Sequence, residues 1–235
     1  MTDASAIDMI ELDRLDLHLD SGPCAYSQRH RTAIDAHFAR LLRERPELWN
    51  GRVLLMGEGA IAGRTLRGHC VETDYATLLW LLREDAVPDL RNCFAAAALR
   101  GSDGGFVLAR QAPWTFNAGR VYFATGTPDP SDVTSDGRVD LEAGMWRELA
   151  EETGLRSADF ASASGWVALR DARRIVLMRE LVAPVSAEVL AARIRGFIAR
   201  EDRPEVDEVV IARSEADLGP AMPDFIIRYL RAVWA

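Results

Sequence analysis

The sequence predicts an α/β-class protein of mixed α+β type, with a mixed sheet and interspersed helices. Three observations predict it. Short apolar runs of strand length are separated by Gly-, Pro-, Asp- and Ser-containing breaks. Stretches with apolar residues at helical spacing stand among them without strict strand–helix alternation. A strand–turn–strand signal marks residues 92 to 112, whereas the first 88 residues lack such hairpins. The expected organisation is an N-terminal extension or small lobe over 1–88 and a larger domain over 89–235.

In chain order, "AIDAHFARLLRER" (33 to 45) reads as a helix ended by Pro46. "GRVLLMG" (51 to 57) reads as a strand, and "AIAGRTLRGHCVETDY" as a second or irregular strand. "ATLLWLLRED" reads as a helix, with Pro88 just beyond it. "NCFAAAALRG", "SDGG" and "FVLARQA" make strand, turn and strand, and "GRVYFATG" is a further strand. Residues 126 to 138, "GTPDPSDVTSDGR", form a loop. The helix after it has Asp140 as N-cap and Gly154 as the residue that ends it in the left-handed conformation. Then come a strand pair ("SGWVALRD", "RRIVLMRELVAP"), an amphipathic helix ("SAEVLAARIRGFIARE"), a strand ("VDEVVIARS") and a terminal helix ("PDFIIRYLRAVW").

Composition narrows the function. A net charge of −8 argues against a broad nucleic-acid surface. The chain has no lysine, so any phosphate clamp must use arginine, histidine, backbone amides or metal. Cys24, Cys70 and Cys93 are widely spaced, without a CxxC pair, and read as reduced thiols. The acidic start "MTDASAIDMIELDRLDLHLD" lacks a signal-peptide pattern, and no apolar run reaches membrane-spanning length. A cytoplasmic protein without a membrane partner is expected.

The informative stretch is "MWRELAEETGL", 145 to 155. Glu148 lies i, i+3 from Glu151 and i, i+4 from Glu152, so all three share a helix face. Like charges at that spacing cost about 0.2–0.5 kcal/mol per pair. A divalent cation reverses the penalty, because carboxylate oxygens are preferred ligands of Mg²⁺ and Mn²⁺. Met145, Leu149 and Leu155 can anchor the other side of the helix in a core. Arg147, i, i+4 to Glu151, can orient that carboxylate.

"RELAEETGL", 147 to 155, resembles the second half of the Nudix box, R-E-U-x-E-E-x-G-U with U aliphatic. Arg147, Glu148, Leu149, Glu151, Glu152, Gly154 and Leu155 match every specified position. The resemblance implies a mixed β-sheet sandwiched between helices over roughly 90 to 220, and a Mg²⁺- or Mn²⁺-dependent hydrolase of a nucleoside diphosphate linked to another group. It makes Glu148, Glu151 and Glu152 metal ligands, Glu148 also a candidate base, and Arg147 an orienting neighbour.

The first half of the box departs from the pattern: the positions that usually hold Gly and Glu hold Val133 and Val139. Asp136, Asp140 or Glu142 could substitute after a small shift in register. Many members of the family add an acidic residue from a later loop. Here "REDRPEVDEVV" offers Glu201, Asp202, Glu205, Asp207 and Glu208, with Glu205 or Glu208 best placed before a strand.

Other features weigh less. "GEGAIAG" lacks dinucleotide-binding spacing and reads as a turn. His69, Cys70 and Glu72 read as alternating strand residues. Trp114, Phe116, Tyr122 and Phe123 read as core. Among Arg100, Arg110 and Arg120, Arg110 is the candidate for a substrate phosphate. "RPELWNGRVLLM" is loosely similar to the N-terminal lobe of a Nudix branch acting on UDP-sugars. The expected ligand is a small nucleoside diphosphate derivative, a nucleotide sugar or ADP-ribose. The alternative is a non-catalytic Nudix-fold sensor or regulator of such a ligand. The N-terminal segment would cover the substrate site or form a homodimer surface.

Overall fold

The computed structural model describes residues 8–83 and 89–235. It is a mixed α+β protein, as its sequence predicts. The strands are β1 Asp8–Leu12, β2 Arg14–Leu19, β3 Arg52–Ala62, β4 Thr65–Asp74, β5 Asn92–Arg100, β6 Phe106–Gln111, β7 Val121–Tyr122, β8 Ala124–Thr125, β9 Ser162–Arg170, β10 Arg174–Val182 and β11 Val206–Ala212. The helices are α1 Ala25–Glu44, α2 Tyr75–Arg83, α3 Leu141–Thr153, α4 Ala187–Ile198 and α5 Asp224–Trp234. One sheet has the order β1-β9-β10-β5-β6-β11, with β7 on β6 and β8 on β5; the other has the order β2-β4-β3.

The chain clusters into two compact units. The first comprises 1–94, 127–144 and 167–177; the second comprises 95–126, 145–166 and 178–235. In the first, β2 and β4 run parallel and β3 and β4 antiparallel. Cys24, Tyr26, Val53, Leu55, Leu78, Leu81 and Leu90 form its core cluster. Later chain is tied into this unit by backbone bonds: Leu54 N to Pro128 O at 2.7 Å, Met56 N to Arg91 O at 2.9 Å and Val139 N to Leu17 O at 2.9 Å.

In the second unit β6 pairs antiparallel with β11, Arg110 lying opposite Glu208. Helix α5 inserts Tyr229 against Phe106 and Phe123, with ring centroids 6.2 and 6.0 Å away in edge-on packing. Helix α4 buries Ala187, Leu190, Ala191 and Ile194.

Several elements differ from the sequence expectation. The first helix begins at Ala25 rather than near 33, because Cys24 caps it: the Cys24 Sγ accepts the Ser27 N–H at 3.4 Å. The glycine-rich "GEGAIAG" turns only at its last residue, Gly63. It continues β3 to Ala62, with a register shift between Met56 and Gly59. "GRVYFATG" is two short strands, not one, since the chain leaves β6 after Tyr122 and joins β5 at Ala124. Strands β1 and β2 lie in the acidic start, where no element was expected. The helix read over "ATLLWLLRED" is present from Tyr75 to Arg83; its last two residues fall outside the described chain.

Candidate active site

Helix α3 places the glutamates. Asp140 starts it, its Oδ1 accepting the Ala143 N–H at 3.0 Å and its carbonyl accepting Gly144 N–H at 3.1 Å. Met145, Leu149 and Leu155 are buried. Gly154 ends the helix at φ +72°, and a Cβ there would meet the Phe197 ring at 2.4 Å.

The same helix gives its carboxylates three environments. Glu151 faces solvent, with 61% of its side chain exposed. Glu148 retains 17% exposure. Glu152 is buried, and its Oε2 has no hydrogen-bond partner. Burial pushes the Glu148 carboxyl up to about 7; Arg147 pulls it down, while Glu151 and Glu205 push it further up. Burial raises Glu152 well above the usual range, with Glu148, Glu205 and Glu151 adding repulsion and the Thr125 backbone N–H offsetting part of it. Glu205, just before β11, is raised by lost hydration and by Glu151. Lost hydration and mutual repulsion thus raise Glu148, Glu152 and Glu205, and the loop acid ahead of β11 lies within electrostatic reach of α3.

Arg147 answers part of this charge. Its Nη1 lies 2.6 Å from Glu148 Oε1 and 3.5 Å from Glu151 Oε2. The helical spacing suggests Glu151 as the main partner; the shorter bond goes to the adjacent Glu148. Among the described residues no group of three or more His, Cys, Asp or Glu side chains stands close enough together to hold a metal ion. The donor set nonetheless suits a hard cation: all ligands are oxygens, and one buried oxygen is unsatisfied.

Two residues of this site were not singled out from the sequence. Gly126 lies directly against Glu148: a Cβ at that position would sit 2.2 Å from Cδ and 2.3 Å from Oε1. Thr125 gives its N–H to Glu152, and its Oγ1 donates to Ala95 O at 2.6 Å, pinning β8 to β5. A glycine 22 residues before Glu148 in the chain carries no sequence signal of contact with it.

The remaining candidates have other partners. Arg110 Nε donates to Glu208 Oε2 at 2.5 Å and its Nη1 to Gly119 O at 3.2 Å. That pair uses both Arg110 and Glu208, and leaves Glu205 as the loop acid coupled to the helix. Asp136 accepts from Thr134 Oγ1 at 2.5 Å within a turn. Val133 and Val139 form a β-bridge with each other. His69 pairs with Asp20 at 2.7 Å, and Glu72 pairs with Arg52. Phe123 and Tyr122 are core, whereas Trp114 and Phe116 are only half-buried.

No family model matches the chain, and no curated protein matches it. The chain resembles the Nudix hydrolases among solved structures. It is similar to the MutT protein from Methanosarcina mazei Go1 at 20% identity over 62% of this chain and 98% of that one, with a TM-score of 0.36. It is similar to DR0079 from Deinococcus radiodurans at 15% identity over 78% and 99%, TM-score 0.47. It is also similar to the Nudix domain of Shewanella oneidensis NrtR, solved in complex with ADP ribose, at 18% identity over 67% and 97%, TM-score 0.41. Among the described residues no helix is long and apolar enough to cross a membrane.

Proposed function

We propose that this chain is a Nudix-type pyrophosphohydrolase that depends on Mg²⁺ or Mn²⁺. It cleaves the diphosphate of a nucleoside diphosphate joined to a second moiety, a nucleotide sugar or ADP-ribose. The observation that carries this reading is Glu152: a buried carboxylate with an unsatisfied oxygen, facing the charges of Glu148, Glu151 and Glu205. A solvated helix face does not bury one of its acids with an oxygen left unsatisfied.

Glu148, Glu151, Glu152 and Glu205 are the residues that would hold the cation. When bound, it neutralises the diphosphate and lowers the pKa of water. Glu148, held on α3 beside Arg147, would serve as the base that takes a proton from water. Arg147 fixes the Glu148 carboxylate through the 2.6 Å bond and leaves its second oxygen available. Arg110 is about one-third exposed and would bind a substrate phosphate by exchanging Glu208 for it. The net charge of −8 without a basic stripe favours a small ligand over a long polyanion, whose binding grows with phosphate contacts.

A panel of UDP-glucose, ADP-ribose, NADH, diadenosine polyphosphates, dNTPs and capped RNA, each with Mg²⁺ and Mn²⁺, tests this. The highest kcat/KM is expected on UDP-glucose or ADP-ribose. A preference for a dNTP or capped RNA overturns the substrate class. Tight ADP-ribose binding without turnover on any member would make the protein a sensor instead.

A further inference from the structure

The loop carrying the fourth carboxylate is held by an aromatic side chain with no assigned role. Trp114 Nε1 donates to the Pro204 carbonyl at 3.1 Å, and the Arg203 guanidinium lies 4.2 Å from the centre of the same ring. Two residues before Trp114, the Ala112 N–H donates to Glu205 O at 2.8 Å. The Pro204 carbonyl belongs to the peptide plane entering Glu205, and the Glu205 carbonyl to the plane leaving it. Both planes flanking the Glu205 Cα are therefore tethered, which restrains its backbone and the direction of its Cβ. The second clamp is a main-chain bond that any residue at 112 except proline could make. The first exists only because residue 114 is a tryptophan.

We infer that Trp114 is a positioning residue for Glu205: it aims this carboxylate at Glu148, Glu151 and Glu152 and so completes the cation site. This rests on the proposed metal-dependent reading. If Trp114 only covered apolar surface at the loop end, a ring without the N–H would serve equally well.

The test is a titration of the metal-free full-length chain with Mn²⁺ alone, followed by electron paramagnetic resonance, with thermal melts to monitor folding. Trp114→Phe keeps a ring under Arg203 and removes the N–H. It is expected to weaken Mn²⁺ binding about three- to tenfold, the worth of one hydrogen bond. Glu205→Gln should weaken it at least as much, and the double variant no more than Glu205→Gln alone, because Trp114 acts through Glu205. In turnover, the metal concentration giving half-maximal rate should rise while KM for substrate at saturating metal stays put.

Should Trp114→Phe fail to fold, Trp114→Leu carries the same comparison, because it keeps apolar bulk at the loop end and removes the N–H. Wild-type Mn²⁺ affinity in the folded variant, or losses that add in the double variant, overturns the role of Trp114 alone. A wild-type chain that takes up no Mn²⁺ overturns the proposed function along with it.

Discussion

Glu148 and Glu152 stand one helical turn apart, yet only Glu152 is sealed from water with an unpaired oxygen. The helix-face pattern of the three acids was legible from spacing alone, because i+3 and i+4 neighbours meet in any α-helix. The burial of Glu148 and Glu152 was not legible, since the neighbours that cover them include Gly126 and Thr125, far upstream in sequence. Gly126→Ala puts a methyl group into the Glu148 carboxylate; it should cost about 1–3 kcal/mol of stability and lower turnover, read by melting and by product formation. The raised Glu148 also predicts a pH signature. Its carboxyl ionises near 4.5 when unfolded and near 7 when folded, so between those values the folded state holds the extra proton. Stability from this group is complete below about pH 4.5 and is lost as pH rises toward 7, a change on the order of 3 kcal/mol. Melts in EDTA should fall across that window in the wild type. Glu148→Gln should flatten this part of the curve and raise the melting temperature at pH 7 and above; a variant with an unchanged slope would contradict the assignment.

At the scale of elements, α3 is set by its two ends, and both were readable: Asp140 as a side-chain acceptor, and Gly154 as the one residue type comfortable at φ +72°. Gly154→Ala meets both a left-handed backbone and the Phe197 ring 2.4 Å away. It is expected to destabilise the chain by at least about 1 kcal/mol, and to lower activity by displacing the end of α3 nearest Glu151 and Glu152. A circular-dichroism melt matching the wild type would contradict that. Elements whose definition needs a distant partner were harder to read. The change of partner at Phe123 splits β7 from β8, although the run reads as one strand. In the acidic start, Leu15, Leu17 and Leu19 alternate with Asp16 and His18, a two-residue period that its high charge obscures. The Arg147–Glu151 pair that helical periodicity selects is present at 3.5 Å, and the same guanidinium also reaches its immediate neighbour Glu148 at 2.6 Å, a contact that periodicity does not announce.

At the scale of the whole molecule, the first compact unit is discontinuous: it takes 127–144 and 167–177 from late in the chain. The hairpin pattern begins only after residue 88, but main-chain bonds run across that point, from Met56 to Arg91, from Leu54 to Pro128 and from Val139 to Leu17. Cutting there strands the later segments without their partners, each lost buried bond leaving an unsatisfied group at about 1–3 kcal/mol. A chain of residues 89–235 is therefore expected to be aggregated or inactive; a soluble, monodisperse and fully active fragment would show that residues 1–88 are dispensable. The central claim is that four carboxylates form a cation site for diphosphate hydrolysis. Its most direct test is hydrolysis of ADP-ribose and UDP-glucose by the metal-stripped full-length chain, with and without added Mn²⁺, beside the folded Glu152→Gln variant. The account predicts turnover only with Mn²⁺ in the wild type, and its loss in Glu152→Gln despite an equal or higher melting temperature in EDTA. Undiminished hydrolysis by the metal-stripped chain, or wild-type turnover by Glu152→Gln, would contradict it.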